Sequence, residues 1–272
     1  MQLYLNDTFR EIWKGLDPFE QIETLQGDVL RAIKNRRTLR FCLNGRGYYI
    51  KIHHGVGWVE IVKNLLQGKV PVLGASNEWA ALNRLQELGV ETMTPVAFGL
   101  RGRNPARLRS FIITEELAGT KSLEDLCAEW KSHPPSPSLR RGLIQRIASM
   151  VRQMHRHGIN HRDCYICHFH LDVSADTDHL RPEDLHLHVI DLHRAQLRRR
   201  TPRRWIIKDL GGLHFSAMDI GLTRTDRFRF IRTYEQRSLR EVFSRSSRFW
   251  RHVEQTARTL YRKLCGASSE SP

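Results

Sequence analysis

Gly158-Ile159-Asn160-His161-Arg162-Asp163-Cys164-Tyr165-Ile166-Cys167-His168 is the stretch from which the rest of the chain can be read. Upstream, Leu139, Leu143, Ile147, Met150, Val151 and Met154 recur at helical spacing, so a helix buried on one side leads into it, with Ser138 as the expected cap and Gly158 as its end. Downstream, residues 169–173 and 185–190 read as short strands around a polar loop at 174–184. The stretch therefore puts one carboxylate, Asp163, on a loop. Val189-Ile190-Asp191 puts a second at the end of an apolar strand.

Further towards the N-terminus the pattern changes from helical to alternating. Residues 28–33, 38–43 and 48–53 each alternate apolar and polar side chains. Asn44-Gly45-Arg46-Gly47 between the last two is a hairpin signal, because Asn and Gly tolerate positive φ. Lys34-Asn35-Arg36-Arg37 turns the first two. On the third strand Tyr48, Ile50 and Ile52 share one face and Tyr49, Lys51 and His53 the other. A helix opens at Ser76 with Glu78 in its first turn, carries Trp79, Leu82, Leu85 and Leu88 on one face, and ends at Gly89. Residues 96–99 and 110–114 read as two more strands joined by a basic loop, 101–109, and Glu115-Glu116-Leu117-Ala118-Gly119 leaves the sheet. The expected fold is α+β in two lobes. A β-rich N-lobe spans 23–118 and a mainly helical C-lobe spans 119–272. Residues 1–22 precede them as a peripheral arm anchored by Phe9, Trp13 and Phe19.

Phosphoryl transfer from a nucleotide needs a base-like carboxylate at the acceptor hydroxyl, an anionic metal ligand, a cation on the phosphates and a place for the base. The chain offers Asp163, Asp191 and Lys51 for the first three. Glu78 is a partner for the lysine, and the backbone from Glu115 to Leu117 is a place for adenine. Each has a plainer reading: Lys51 as a solvated strand lysine, Glu78 as a first-turn acid suiting the helix dipole. Cys164 and Cys167 with the neighbouring histidines suggest zinc, but no second ligand pair stands at knuckle spacing.

Composition narrows the partners. With 40% apolar and 27% charged residues in 272, the chain is an ordinary folded one. No apolar run approaches the roughly 18 residues of a membrane span, and the N-terminus has no secretory pattern. Five scattered cysteines fit reduced thiols. Of the net +15, +13 lies between residues 194 and 263, where 19 Lys and Arg face 6 Asp and Glu. Such one-sided clustering calls for a polyanionic partner. Phe228, Phe230, Phe249 and Trp250 interleave with these cations at spacings that suit helix core better than base stacking.

His161-Arg162-Asp163 with His168 five residues on resembles a protein-kinase catalytic loop. Arg37-Thr38-Leu39-Arg40-Phe41, Gly45 through His53, Gly55-Val56-Gly57-Trp58, Val189 through Ala195 and Lys208-Asp209-Leu210-Gly211-Gly212-Leu213 extend the resemblance. Together they make the chain similar to the lipopolysaccharide kinases of bacterial envelopes, those acting on the inner-core heptose. The resemblance implies a bilobal protein-kinase-like fold, ATP and Mg²⁺, and the 4-hydroxyl of the first inner-core heptose as acceptor. It implies Asp163 as catalytic residue, Asp191 and His168 at the metal, and Lys51, Glu78, Glu115 and Leu117 at the nucleotide. The chain departs from the protein-kinase pattern in three places: no G-x-G-x-x-G, His168 in place of Asn, and Leu-His after Asp191.

A glycolipid acceptor carrying lipid A accounts for the basic C-terminal region without nucleic acid, which is not expected. It implies a cytoplasmic enzyme, peripheral at the anionic inner-membrane surface, and leaves room for an acidic protein partner. A protein or self-phosphorylating kinase on the same fold is the second reading, and a non-enzymatic basic binding module the third.

Overall fold

The computed structural model describes residues 1–33, 35–68, 71–174 and 184–265, with the side chain of Cys265 excluded. Lys34 of the expected turn, most of the 174–184 loop and the C-terminal tail lie outside them. The chain packs as two compact units, Met1–Arg84 with Met93–Ala118 and Leu192–Arg194, and Leu85–Thr92 with Gly119–Asp191 and Ala195–Pro272.

The first unit is built on an antiparallel sheet. Its strands are β1 (Gln2–Leu5), β2 (Asp28–Ile33), β3 (Arg36–Leu43), β4 (Arg46–His53), β5 (Pro95–Arg101) and β6 (Arg109–Glu115), in the order β1-β5-β6-β4-β3-β2. The meander and its Asn44-Gly45 turn form as the alternation predicts, with both turn residues at positive φ. Tyr48, Ile50 and Ile52 of β4 join Leu39, Phe41, Phe111 and Ile113 in the core, so the opposite face carries Lys51. The first 22 residues do more than the expected arm. β1 pairs with β5, and α1 (Asp7–Ile12), its C-cap Trp13 and α2 (Pro18–Thr24) bury Phe9, Trp13, Phe19 and Ile22 in that same core. These rings stack edge-on, Phe9 on Tyr48 at 5.4 Å and Phe19 on Phe111 at 5.2 Å. They cover a sheet face that would otherwise meet water. Helix α3 (Trp58–Leu66) adds to the elements expected from the sequence, and α4 (Ser76–Glu87) matches the helix expected from Ser76.

The second unit is mainly helical. It contains α5 (Leu123–Cys127), α6 (Pro137–Arg156), α7 (Arg203–Ser216), α8 (Arg224–Glu235) and α9 (Leu239–Cys265). Short strands accompany them: β7 (Thr120–Ser122), β8 (Ile159–Asn160), β9 (Phe169–Asp172), β10 (Leu187–Val189) and β11 (Gln196–Leu197). One expectation needs correction. Ser136, not Ser138, caps α6: its Oγ accepts from Leu139 N at 3.2 Å, and Pro137 takes the first helical position, where its missing N–H costs nothing. The apolar runs near 239–243 and 250–264 belong to one helix, because the Arg- and Ser-rich residues between them continue its solvent face. Two glycines let α7 pack closely. A Cβ on Gly211 would stand 2.6 Å from Thr256 Cγ2 of α9, and one on Gly212 3.0 Å from the Cys164 carbonyl.

Candidate active site

Lys51 occupies the middle of β4, with Thr38 of β3 and Ile112 of β6 as cross-strand neighbours. Its Nζ donates to Glu78 Oε1 at 2.7 Å; Glu78 is 1% exposed and Lys51 16%. The start of α4 is tied to the sheet, since Ala75 N donates to Ser110 Oγ at 3.0 Å, and that tie sets Glu78 over the strand. Glu78 Oε2 is buried with no hydrogen-bond partner among the described residues. The solvated-lysine reading is thereby replaced by a pair half withdrawn from water. His53, two residues along, stays neutral: burial first, then Arg36 and Lys51, push its pKa down to about 3.

The backbone at the end of β6 is partly committed. Glu115 N donates to the Thr94 carbonyl at 2.9 Å, so any contact with a base at Glu115 falls to its carbonyl. Leu117 follows, half-buried, on the segment leaving the strand. Between them Glu116 takes a two-pronged ion pair from Arg40, at 2.7 and 2.8 Å, which lowers its pKa and braces the segment.

In the second unit, Gly158 ends α6 at φ +81°, where a Cβ would strike the Arg198 carbonyl at 1.7 Å. β8 pairs with β11 and delivers His161 and Arg162 to a buried carboxylate, Asp209 of α7. Asp209 Oδ2 accepts from His161 N at 2.7 Å and Oδ1 from Arg162 N at 2.8 Å. Arg162 is thus held in the left-handed region, φ +75°, directly before Asp163. Its guanidinium lies 5.4 Å from the Trp205 ring. Local sequence pattern gives Asp209 no role. Its one signal was a lone acid among apolar and small residues on a helix. His155 of α6, also missed, donates from Nε2 to the same carboxylate at 3.3 Å, and its Nδ1 accepts from Tyr234 OH at 2.8 Å.

His161 Nε2–H donates to the Ile190 carbonyl at 2.9 Å, and burial keeps this ring neutral. Its plane stacks on His168 at 5.4 Å and 7°. His168 Nδ1–H donates to the Asp163 carbonyl at 2.7 Å. Its other ring nitrogen, Nε2, lies 3.8 Å from Asp191 Oδ2. β10 carries Asp191 to this place. Val189 is fastened by Thr92 Oγ1 to its carbonyl at 2.6 Å and by its own N–H to the Glu91 carbonyl at 3.0 Å. Asp191 itself has φ +56°. The structure therefore brings Asp163, His168 and Asp191 onto one loop system.

Burial raises the Cys164 thiol well above its usual range and Cys167 to about 11, so neither is a ready thiolate. Among the described residues no three His, Cys, Asp or Glu side chains are grouped to hold a metal. The donors next to Asp191 are carboxylate oxygen and one imidazole nitrogen. The carboxylate suits Mg²⁺; the nitrogen departs from the all-oxygen shell that ion favours.

The lipopolysaccharide kinase (Kdo/WaaP) family model matches residues 20–234. The chain is 54% identical over 265 residues to a Pseudomonas aeruginosa protein called lipopolysaccharide core heptose(I) kinase WaaP, covering 97% of each. It is 50% identical over 240 residues to the Escherichia coli K12 protein of the same name, covering 88% of this chain and 89% of that one. Among solved structures, one described as WaaP in complex with acyl carrier protein superposes with a TM-score of 0.84 at 49% identity, covering 96% of this chain and all of that one. A kinase-like fold, the Lys51–Glu78 pair and a loop carrying Asp163 all accord with this kinship, and the chain belongs to the lipopolysaccharide kinase (Kdo/WaaP) family of phosphotransferases.

Proposed function

We propose that the protein transfers the γ-phosphoryl group of ATP to the 4-hydroxyl of the first heptose of the lipopolysaccharide inner core. The observation that carries the acceptor is the 54% identity, over 97% of both chains, to a protein named for that heptose. Phosphoryl transfer itself is supported by the Lys51–Glu78 pair and by the Asp163–His168–Asp191 loop system.

Asp163 accepts the proton of the heptose hydroxyl as its oxygen forms the new bond to phosphorus and the bond to the β-phosphate oxygen breaks, leaving ADP. Lys51, oriented by Glu78, holds phosphate oxygens. Leu117 and the Glu115 carbonyl face adenine. Asp191, with His168 Nε2 beside it, is the place for Mg²⁺, which would neutralise charge on the phosphates. Asp209 touches no reactant; it sets the backbone on which Asp163 stands.

The test is incubation of the purified protein with ATP, Mg²⁺ and heptose-bearing core oligosaccharide, locating the phosphate by NMR. A monoester at O4 of the first heptose is expected. Phosphate on another hydroxyl, or only on the protein itself, refutes the assignment.

The Arg-rich helices suit an acidic protein, and the solved relative is bound to acyl carrier protein. The second unit holds a half-open pocket of about 600 Å³ lined by Leu143, Ile144, Phe228, Ile231 and Trp250, with Arg224 and Arg227 also on its wall. That volume lies within the range of small-molecule sites. The proposed partner is an acylated carrier protein whose chain enters this cavity. Equal retention of acylated and unacylated carrier would defeat the cavity's part in this. The acceptor's lipid places the enzyme peripherally at the cytoplasmic face of the inner membrane, and no described helix is long and apolar enough to cross it.

A further inference from the structure

Helix α3 presents an apolar face that the first unit does not cover. Trp58, Val59, Val62, Leu65 and Leu66 are 57%, 84%, 50%, 58% and 84% exposed. At 100° per residue they fill an arc of about 120°. Ile61, just beyond one edge of the arc, is the residue that anchors the helix and is 6% exposed. Glu60, Asn64 and Gln67 hold the opposite side, where Asn64 Nδ2 donates to Glu60 Oε1 at 2.8 Å. Lys63 borders the arc on its other edge and is exposed. The helix leans on the loop before β6, with Gly57 N donating to the Ala106 carbonyl at 3.0 Å, and Arg103 and Arg107 of that loop are exposed as well.

Such a face needs an occupant. A second copy would gather both sets of Lys63 and Arg107 into one contact, since a two-fold interface uses the same patch on both sides. An acidic protein would use the cations and leave five apolar side chains without a role. An anionic bilayer satisfies both: aliphatic side chains enter the acyl boundary, Trp58 sits at headgroup depth, and the flanking cations meet phosphate. We propose that α3 is the membrane-docking element of this protein, lying flat in the interface of an anionic phospholipid surface. The proposal rests on the reading that the acceptor is a membrane glycolipid. It adds that short-range insertion comes from α3 rather than from the basic C-terminal helices alone.

The experiment uses the full chain and vesicles of phosphatidylethanolamine and phosphatidylglycerol. Brominated lipids should quench the tryptophan emission of the wild type, and Trp58→Phe should remove most of the quenched fraction. Val59→Glu/Leu66→Glu should weaken vesicle binding by about 100-fold or more, from the loss of two aliphatic side chains that the bilayer would bury. Turnover of soluble heptose-bearing oligosaccharide by that variant should be unchanged, which separates misfolding from lost docking. Vesicle binding within threefold of wild type in the double variant overturns the proposal. So does loss of soluble-acceptor turnover together with vesicle binding, or a wild-type dimer that the variant makes monomeric without lipid quenching. If the wild type binds vesicles through α3 but phosphorylates no soluble acceptor, the docking role stands and the heptose assignment fails.

Discussion

Replacing Asp209 by Asn tests whether a residue that touches no reactant sets the rate. In the native protein two donors, His161 N and His155 Nε2, converge on Oδ2, and Arg162 N reaches Oδ1. An asparagine oxygen can take the first position, but its NH₂ then faces the Arg162 N–H, donor against donor. A hydrogen bond to a charged group is worth about 1.5–3 kcal/mol, and Asp209 is 1% exposed, so water does not replace it. Arg162 at φ +75° stores a further 1–3 kcal/mol or so of backbone cost that only such bonds sustain. Losing the bond releases the residue before Asp163, and a displacement of about 1 Å at a reacting carboxylate costs roughly a hundredfold in rate. The expectation for Asp209→Asn is therefore kcat down about a hundredfold and unfolding free energy down by about 2–3 kcal/mol. The KM for ATP should hold within a factor of about two, because the nucleotide residues are untouched. Steady-state kinetics and denaturant unfolding read all three. A kcat within twofold of wild type, or a KM for ATP rising as far as kcat falls, would refute the clamp.

Lys51→Ala leaves the Glu78 carboxylate, 1% exposed, without its cation, and should cost about 3–5 kcal/mol of stability. Lys51→Ala/Glu78→Gln should regain much of this while staying inactive, and a double variant no more stable than Lys51→Ala would contradict the pairing. Acid should weaken the protein through His53. Its folded pKa, about 3, lies below the ordinary 6.5, so its share of stability is complete above pH 6.5 and drains as pH falls towards 3. Denaturant titrations across that window should lose up to about 1.4 kcal/mol per pH unit from this group, and His53→Gln should flatten the slope by that amount.

Much of the site was legible because local patterns carry it. Period-2 alternation put Lys51 on the face of β4 opposite Tyr48, Ile50 and Ile52, and the Asn44-Gly45 turn set the β3–β4 register. His161-Arg162-Asp163 and Val189-Ile190-Asp191 identified the two loops by residue order alone. Three features were not legible in this way. A helix cap such as Ser136 competes with Ser138 two residues away, and the choice is settled by which hydroxyl meets a free N–H. The aromatics of residues 1–22 suggested anchors, but that they close one face of the sheet depends on β1 pairing with β5 nearly a hundred residues on. α3 alternates too little and is too apolar outward to read as a water-facing helix.

The sequence by itself determined most of the secondary elements, the kinship and the acidic and basic groups that chemistry requires, since turn chemistry and hydrophobic period act over a few residues. Tertiary structure alone decided which of those groups meet. Glu78 reaches Lys51 across 27 positions, and Asp209 reaches Arg162 across 47. A buried carboxylate is tolerated only where donors converge on it, and convergence of that kind comes from packing, which no local pattern encodes.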